Sequence, residues 1–519
     1  MRKLNRFIFS RYFVSAIMIL LSVAFVFTVI FVAYNYSIYI YLFMMFLSFV
    51  TNINIINKET VPEFKLPWMM VVTVIPIFGM LLYFMFYSRR LTRKEARLMD
   101  KIYREYEAAV EAVRKENAEL MENLDELGRD DALALGKARA IMFDDYGADL
   151  YRNTSSKYFP LGEELFASMI ADMKRAEKYI FLEYFIVEEG ALWDRLYSVL
   201  RDKARAGVDV RLLYDDIGCM YTLSSTFPKK LARDGIKCQR VGKIIPRIST
   251  VHHNRDHRKI CVIDGAVAYT GGVNIADEYT NEKNRFGHWK DGGIRLEGHA
   301  VLGLLKLFIT MWDFTEGRVS NYRTLFTSIG ERIEGDGGYY IPFGSGPAPT
   351  YPASVGENAI LNLINQSKSY IYITTPYLII DYALTEALKN AARRGVEVVI
   401  VTPGKADKHL VKVMTKSFYP QLISAGVKIY EYTPGFMHEK LIVSDDCYAM
   451  VGTINMDYRS LVHHYENAVW MYNTPVVEDI KRGFMKTLSI SAAISAKDSK
   501  LKLSQKIAKD LIRIFAPLL

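Results

Sequence analysis

The chain has 519 residues, half of them hydrophobic, and a formal net charge of +9. That length leaves room for more than one domain, and the four scattered cysteines, Cys219, Cys238, Cys261 and Cys447, argue against a disulfide framework or a cysteine metal site. The modest basic excess suits attraction to anionic lipid headgroups.

The apolar residues are unevenly spread. From Tyr12 to Asn57 no charged residue occurs, a run too long for one membrane span and long enough for two. Residues 12–33 form a first predicted span, 37–56 a second, richer in Tyr and Asn, and 66–87 a third, ended by Ser88-Arg89-Arg90. A cleaved signal peptide fits poorly, because the apolar run is too long and no small-residue cleavage site stands out. Arg2, Lys3, Arg6 and Arg11 precede the first span, and a larger basic cluster from Arg89 to Arg104 follows the last. Both clusters favour the cytoplasm, which calls for an even number of spans against the three visible. Either the middle segment is re-entrant or interfacial, or the weaker cluster lies outside; the larger cluster puts the rest of the chain in the cytoplasm. Residues 89–135 carry Leu98, Ile102, Tyr106, Val110 and Val113 at helical spacing and read as a solvated linker helix leaving the membrane.

A repeated unit begins near Asp149. Tyr179-Ile-Phe-Leu-Glu-Tyr-Phe-Ile matches Tyr370-Ile-Tyr-Ile-Thr-Thr-Pro-Tyr as a buried strand. Helical stretches follow near 192–206 and 383–394, then Gly207-Val-Asp-Val-Arg-Leu-Leu and Gly395-Val-Glu-Val-Val-Ile-Val as the next strands. Strand, helix and strand in that order define a βαβ unit, so the predicted fold is α/β and duplicated, with both halves meeting at a seam. The expected divisions are a membrane region at 1–88, a linker at 89–148, halves at 149–335 and 336–490, and a basic amphipathic helix at 491–519 that lies on the membrane surface or packs on the main body.

Each half carries the pattern His-x-Lys-x4-Asp-x6-Gly-small-x-Asn. The first copy is His257, Lys259, Asp264, Gly271, Gly272 and Asn274; the second, 181 positions on, is His438, Lys440, Asp445, Gly452, Thr453 and Asn455. Residues i and i+2 of a strand share a face, so each histidine sits beside its lysine. Two imidazoles, two ammonium groups and two carboxamides suit phosphodiester cleavage and transfer. Lys259, Lys440, Asn274 and Asn455 can hold non-bridging phosphate oxygens. One imidazole can attack phosphorus while the other protonates the leaving alcohol, with no cofactor and no metal. Asp264 and Asp445 complete the motifs but sit at strand-to-turn junctions, where Asp commonly caps a turn. Asp291 and Glu466 each open a later strand of their half and are the expected carboxylates that fix the histidine tautomers, Asp291 for His257 and Glu466 for His438.

The doubled motif resembles the signature of the phospholipase D superfamily. The resemblance covers nearly the whole chain and extends through Phe181-Leu-Glu-Tyr-Phe-Ile-Val187, Tyr269-Thr-Gly-Gly-Val-Asn274 and Gly452-Thr-Ile-Asn-Met-Asp-Tyr-Arg-Ser460. Within it the chain is similar to bacterial cardiolipin synthases. That implies duplicated α-β-α sandwich units, a phosphohistidine on His257, and His438 as acid and then base. It also implies transfer of the phosphatidyl group of one phosphatidylglycerol to another, yielding cardiolipin and glycerol. A membrane phospholipase D with water as acceptor is the alternative, and the membrane segments count against a nuclease. Gly272 and Thr453 stand where many relatives have serine, which removes a hydroxyl contact at Gly272.

Overall fold

The computed structural model describes Ile17 and residues 20–28, 36–58, 62–87, 93–123, 128–142, 148–242, 254–326, 335–347, 350–351 and 354–497. These fall into two compact units, one holding the chain up to Arg90 and the other running over Leu91–Lys243 and Asn254–Lys509. Most of the first predicted span and, beyond residue 497, the predicted C-terminal helix lie outside the described residues; the first residues assigned to that helix, Ser491–Ala493, form a strand instead, paired antiparallel with Lys428–Tyr432.

In the first unit, the helix Ser37–Ile56 coincides with the second predicted span. Among the described residues it is the one helix long and apolar enough to cross a membrane. The third predicted span is not one straight rod. It divides into Pro62–Val74 and Pro76–Tyr87, because Pro76 lacks an N–H and its ring crowds the preceding turn. Gly79 then packs against the Val71 carbonyl, where a Cβ would overlap it. Each piece rises only ~20 Å, short of the ~30 Å hydrocarbon core. Polar side chains tie the helices together: Ser48 Oγ donates to the Val72 carbonyl at 2.9 Å and Asn52 Nδ2 to Thr73 Oγ1 at 3.0 Å.

In the second unit the first half contributes β1 (Thr154–Phe159), β2 (Tyr179–Tyr184), β3 (Asp209–Asp215), β4 (Lys237–Val241), β5 (Lys259–Ile263), β6 (Val267–Gly271), β7 (His288–Lys290) and β8 (Gly293–Gly298). The second half contributes β9 (Tyr339–Ser345), β10 (Tyr370–Thr374), β11 (Leu378–Ile379), β12 (Glu397–Pro403), β13 (Lys428–Tyr432), β14 (Gly435–Met437), β15 (Leu441–Ser444), β16 (Tyr448–Gly452), β17 (Met456–Asp457), β18 (Glu466–Tyr472) and β19 (Ser491–Ala493). One sheet runs β1-β8-β6-β5-β2-β3-β4 and the other β19-β13-β12-β10-β15-β16-β18-β9. The order β8-β6-β5-β2-β3-β4 recurs as β18-β16-β15-β10-β12-β13, parallel at β2-β3-β4 and β10-β12-β13 and antiparallel elsewhere. The duplicated βαβ reading therefore holds. The turn into each second strand uses a glycine at positive φ, Gly207 at 93° and Gly395 at 94°, which a side chain resists.

A central apolar cluster draws side chains from both sheets, such as Val262 and Val443, and from the helices Val301–Glu316 and Val476–Ser489. Separate clusters pack the outer face of each sheet. The seam is also hydrogen-bonded: β7 pairs parallel with β14, Asp256 bridges Tyr465, and Asn467 Nδ2 donates to Thr270 Oγ1 at 2.8 Å.

The linker helix departs from the sequence expectation. It forms, over Arg93–Glu122, but it is not a solvated rod. Ile102, Tyr106 and Val110 are buried in the central cluster, and the Tyr106 ring packs on Tyr322 and Phe326. Four-residue spacing puts those three side chains on one stripe, and burying that stripe binds the helix to this unit.

Candidate active site

Each motif histidine is placed by a backbone bond to the opposite half. His257 N–H donates to the Tyr465 carbonyl at 2.9 Å, and His438 N–H to the Lys290 carbonyl at 2.8 Å. Tyr465 and Lys290 immediately precede Glu466 and Asp291, so the carboxylates arrive beside the wrong-half histidines. His257 Nδ1 lies 2.9 and 3.0 Å from the two Glu466 oxygens, and His438 Nδ1 lies 2.6 Å from Asp291 Oδ2. The two acids are the ones expected; the pairing is crossed. Sheet order explains it, since β6 separates β5 from β8 and β16 separates β15 from β18. The acid that opens β18, and the one just ahead of β8, is two strands from its own histidine and reaches the other across the seam.

The site is nearly closed to water. His257 and His438 are each 7 % exposed, Lys259 1 %, Lys440 4 %, and both acids 0 %. Burial, reinforced by the two ammonium groups, holds both imidazoles well below their usual pKa and so neutral. Burial also pushes Lys259 down to about 7 and Lys440 to about 8, with the two carboxylates opposing it. Asp291 is pushed up to about 6 by burial, against the pull of Lys440.

The halves differ in detail. His257 Nδ1 meets both Glu466 oxygens, so it donates its proton there and the lone pair is on Nε2. His438 Nδ1 lies near both Asp291 and, at 2.9 Å, Lys440 Nζ. It either donates to the first or accepts from the second, and in the latter tautomer the proton sits on Nε2. Lys259 Nζ donates to the His257 carbonyl at 2.6 Å, and Lys440 Nζ to the His438 carbonyl.

Asn274 is already engaged. Its Oδ1 accepts the Ile186 N–H at 3.0 Å and its Nδ2 donates to the Tyr279 hydroxyl at 2.7 Å, which leaves one amide hydrogen. Asn455 is 6 % exposed, and its side-chain oxygen has no hydrogen-bond partner among the described residues. Asp264 and Asp445 turn away from this chemistry. Each carboxylate accepts three backbone N–H groups, from Glu177, Lys178 and Tyr179 or from Lys368, Ser369 and Tyr370, at 2.7–2.9 Å. Both have positive φ, 54° and 52°, as turn-capping Asp tolerates.

Several contributors were not legible from motif spacing. Thr453 and Ser460 hydroxyls both donate to Glu466, Ser460 at 2.6 Å. Thr453 thus serves the carboxylate, and at Gly272 a Cβ would overlap Asp291 Oδ1. The missing hydroxyl there makes room for an acid. Phe185 lies edge-on to His257 at 5.0 Å, while Tyr279, Trp289 and Phe436 ring His438 at 5.4–5.7 Å. His464, pushed down to about 3 by burial, stands 5.5 Å from His257, ring to ring. With Glu466 and His257 it forms a group whose donor atoms lie within 4.8 Å of one another, a set that 209 residues of separation hide.

Two sheets of repeated order, with the paired motifs at their seam, define a duplicated phospholipase D-like fold. The family described as "Cardiolipin synthase, PLD-like domain" matches residues 169–285 and 360–488, and "Phospholipase_D-nuclease N-terminal" matches 46–86. A cardiolipin synthase of Alkalihalophilus pseudofirmus is 32 % identical over 88 % of this chain and 89 % of its own length. An uncharacterized protein of Streptococcus mutans is 44 % identical over 72 % of this chain and 80 % of its own. Among solved structures, phosphatidylserine synthase of Haemophilus influenzae shares the fold, at TM-score 0.56 and 14 % identity, covering 74 % of this chain and 97 % of that one. The chain belongs to the cardiolipin synthase family of phospholipase D-like proteins.

Proposed function

We propose that this protein is a phosphatidyltransferase that joins two phosphatidylglycerol molecules into cardiolipin and glycerol. The observation that carries the reading is the crossed pair of buried histidine–carboxylate contacts with different Nδ1 surroundings. With its Nδ1 proton on Glu466, His257 has its lone pair on Nε2, as a nucleophile requires. It attacks phosphorus and the bond to the glycerol oxygen breaks. His438 supplies the proton from Nε2 to that oxygen while its Nδ1 takes one from Lys440 Nζ, 2.9 Å away, so the ring stays neutral. The second phosphatidylglycerol then gives its hydroxyl proton to His438 Nε2 as the Nδ1 proton returns to Lys440, its oxygen attacks phosphorus, and the phosphorus–nitrogen bond breaks. Lys259, Lys440, Asn455 and the remaining hydrogen of Asn274 hold the non-bridging oxygens. Asp264 and Asp445 anchor strand ends. The phosphodiester comes from a lipid and not from nucleic acid, since an anionic membrane holds the substrate beside the protein's own apolar segments. The protein spans the membrane more than once, with the second unit cytoplasmic, and the membrane region ends near residue 88.

The test is to give purified enzyme labelled phosphatidylglycerol and identify the products. Cardiolipin with an equal amount of free glycerol supports transfer. Phosphatidic acid as the main product at every lipid density makes the enzyme a phospholipase.

A further inference from the structure

We propose that two loops at the rim of the site form lips that dock into an anionic bilayer surface. In a parallel α/β sheet, ligands bind beyond the carboxyl ends of the strands. In this fold, the loop after β3 and the loop after β12 occupy equivalent places in the strand order of the two halves. The first loop exposes Ile217, Met220 and Tyr221, with Tyr221 92 % exposed. The second exposes Lys405 and Lys408, and the helix that follows it, His409–Ile423, exposes Leu410.

Both loops are built onto the site. Asp215 accepts the Ile217 and Gly218 N–H groups, and Cys219 Sγ packs on the Phe185 carbonyl, the residue whose ring meets His257. Lys405 N–H donates to the Gly435 carbonyl at the start of β14, which leads into His438. Asp407 accepts the hydroxyl of Tyr377 at 2.6 Å. The loop ends are therefore fixed while their tips stand free.

Three adjacent apolar side chains held in water are unfavourable unless something covers them. The second lip selects the cover. Its two lysines favour a negatively charged surface, and an anionic bilayer offers both charge and hydrocarbon at one boundary. The inference rests on the lipid-substrate reading above: a diacyl substrate stays in the membrane, so the mouth must reach it.

The experiment compares full-length wild type, M220D/Y221D and K405E/K408E on two substrates, long-chain phosphatidylglycerol in vesicles and a short-chain phosphatidylglycerol below its micelle concentration. Each double variant should raise KM for the vesicle substrate about tenfold or more, and M220D/Y221D should keep kcat/KM for the monomeric substrate within about twofold of wild type. Y221W should also gain fluorescence that mid-chain brominated phosphatidylglycerol quenches. Unchanged vesicle KM overturns the proposal, as does an unquenched Trp. Equal losses on both substrates overturn it too, by making the loops part of the reaction centre. If wild type turns over neither form of phosphatidylglycerol, the reading of the reaction fails instead, while quenching of Y221W still tests the lips.

Discussion

Glu466→Gln keeps a hydrogen bond to His257 but removes the charge that steadies that ring as it gains phosphorus. Asp291→Asn does the same to His438, the ring assigned to protonate the leaving alcohol. Each should slow transfer by on the order of 10²–10⁴-fold. A substrate with a more acidic leaving alcohol needs little protonation, so it should rescue Asp291→Asn and not Glu466→Gln. Rescue of Glu466→Gln alone would exchange the roles of the histidines. A pH profile adds a second check. Asp291 must be ionised to accept from His438 Nδ1 once Lys440 has passed that atom its proton, so activity should rise as pH passes about 6. The lysines must be protonated to hold phosphate, so activity should fall as pH passes about 7 to 8. A bell-shaped kcat/KM with those limbs is expected, and a flat profile from pH 5 to 9 would contradict it. The identity of these groups was readable from the sequence, because the motif and the strand-opening acids recur at fixed spacing. Their pairing was not, because it depends on which strand lies between two others and on a seam that spacing along the chain does not encode.

At the scale of elements, the linker helix shows what amphipathic spacing can and cannot say. Leu98, Ile102, Tyr106 and Val110 announce a helix with one apolar stripe, but the stripe's partner, the segment around Tyr322 and Phe326, lies over two hundred residues away. Tyr106 is 1 % exposed and donates to Asp149 at 2.5 Å. Tyr106→Ala should therefore destabilise the second unit by about 3–5 kcal/mol, the usual cost of removing a buried aromatic ring. Thermal unfolding of the full chain in detergent measures it; a shift within error would return the helix to the role of a spacer. The third predicted span teaches the converse. Its hydropathy reads as continuous, and a single proline ring divides it.

At the scale of the whole molecule, the divided third segment bears on sidedness. Two short pieces joined at Pro76 can enter and leave by one face, which permits the even crossing number that the flanking basic clusters require. Residues introduced as single cysteines near positions 5 and 95 should react with an impermeant maleimide in inverted vesicles and be protected in right-side-out ones. Labelling of the two positions from opposite sides would give an odd number of spans.

The crossed contacts carry one more consequence. Because each ring borrows its acid from the opposite half, neither half alone contains an oriented imidazole. Two separate copies of one half, related by a twofold axis, would satisfy the same contacts through an isologous interface. The seam is such an interface with its two sides joined in a single chain. Joined in one chain, the two sides need not be identical: threonine stands beside one carboxylate and glycine beside the other.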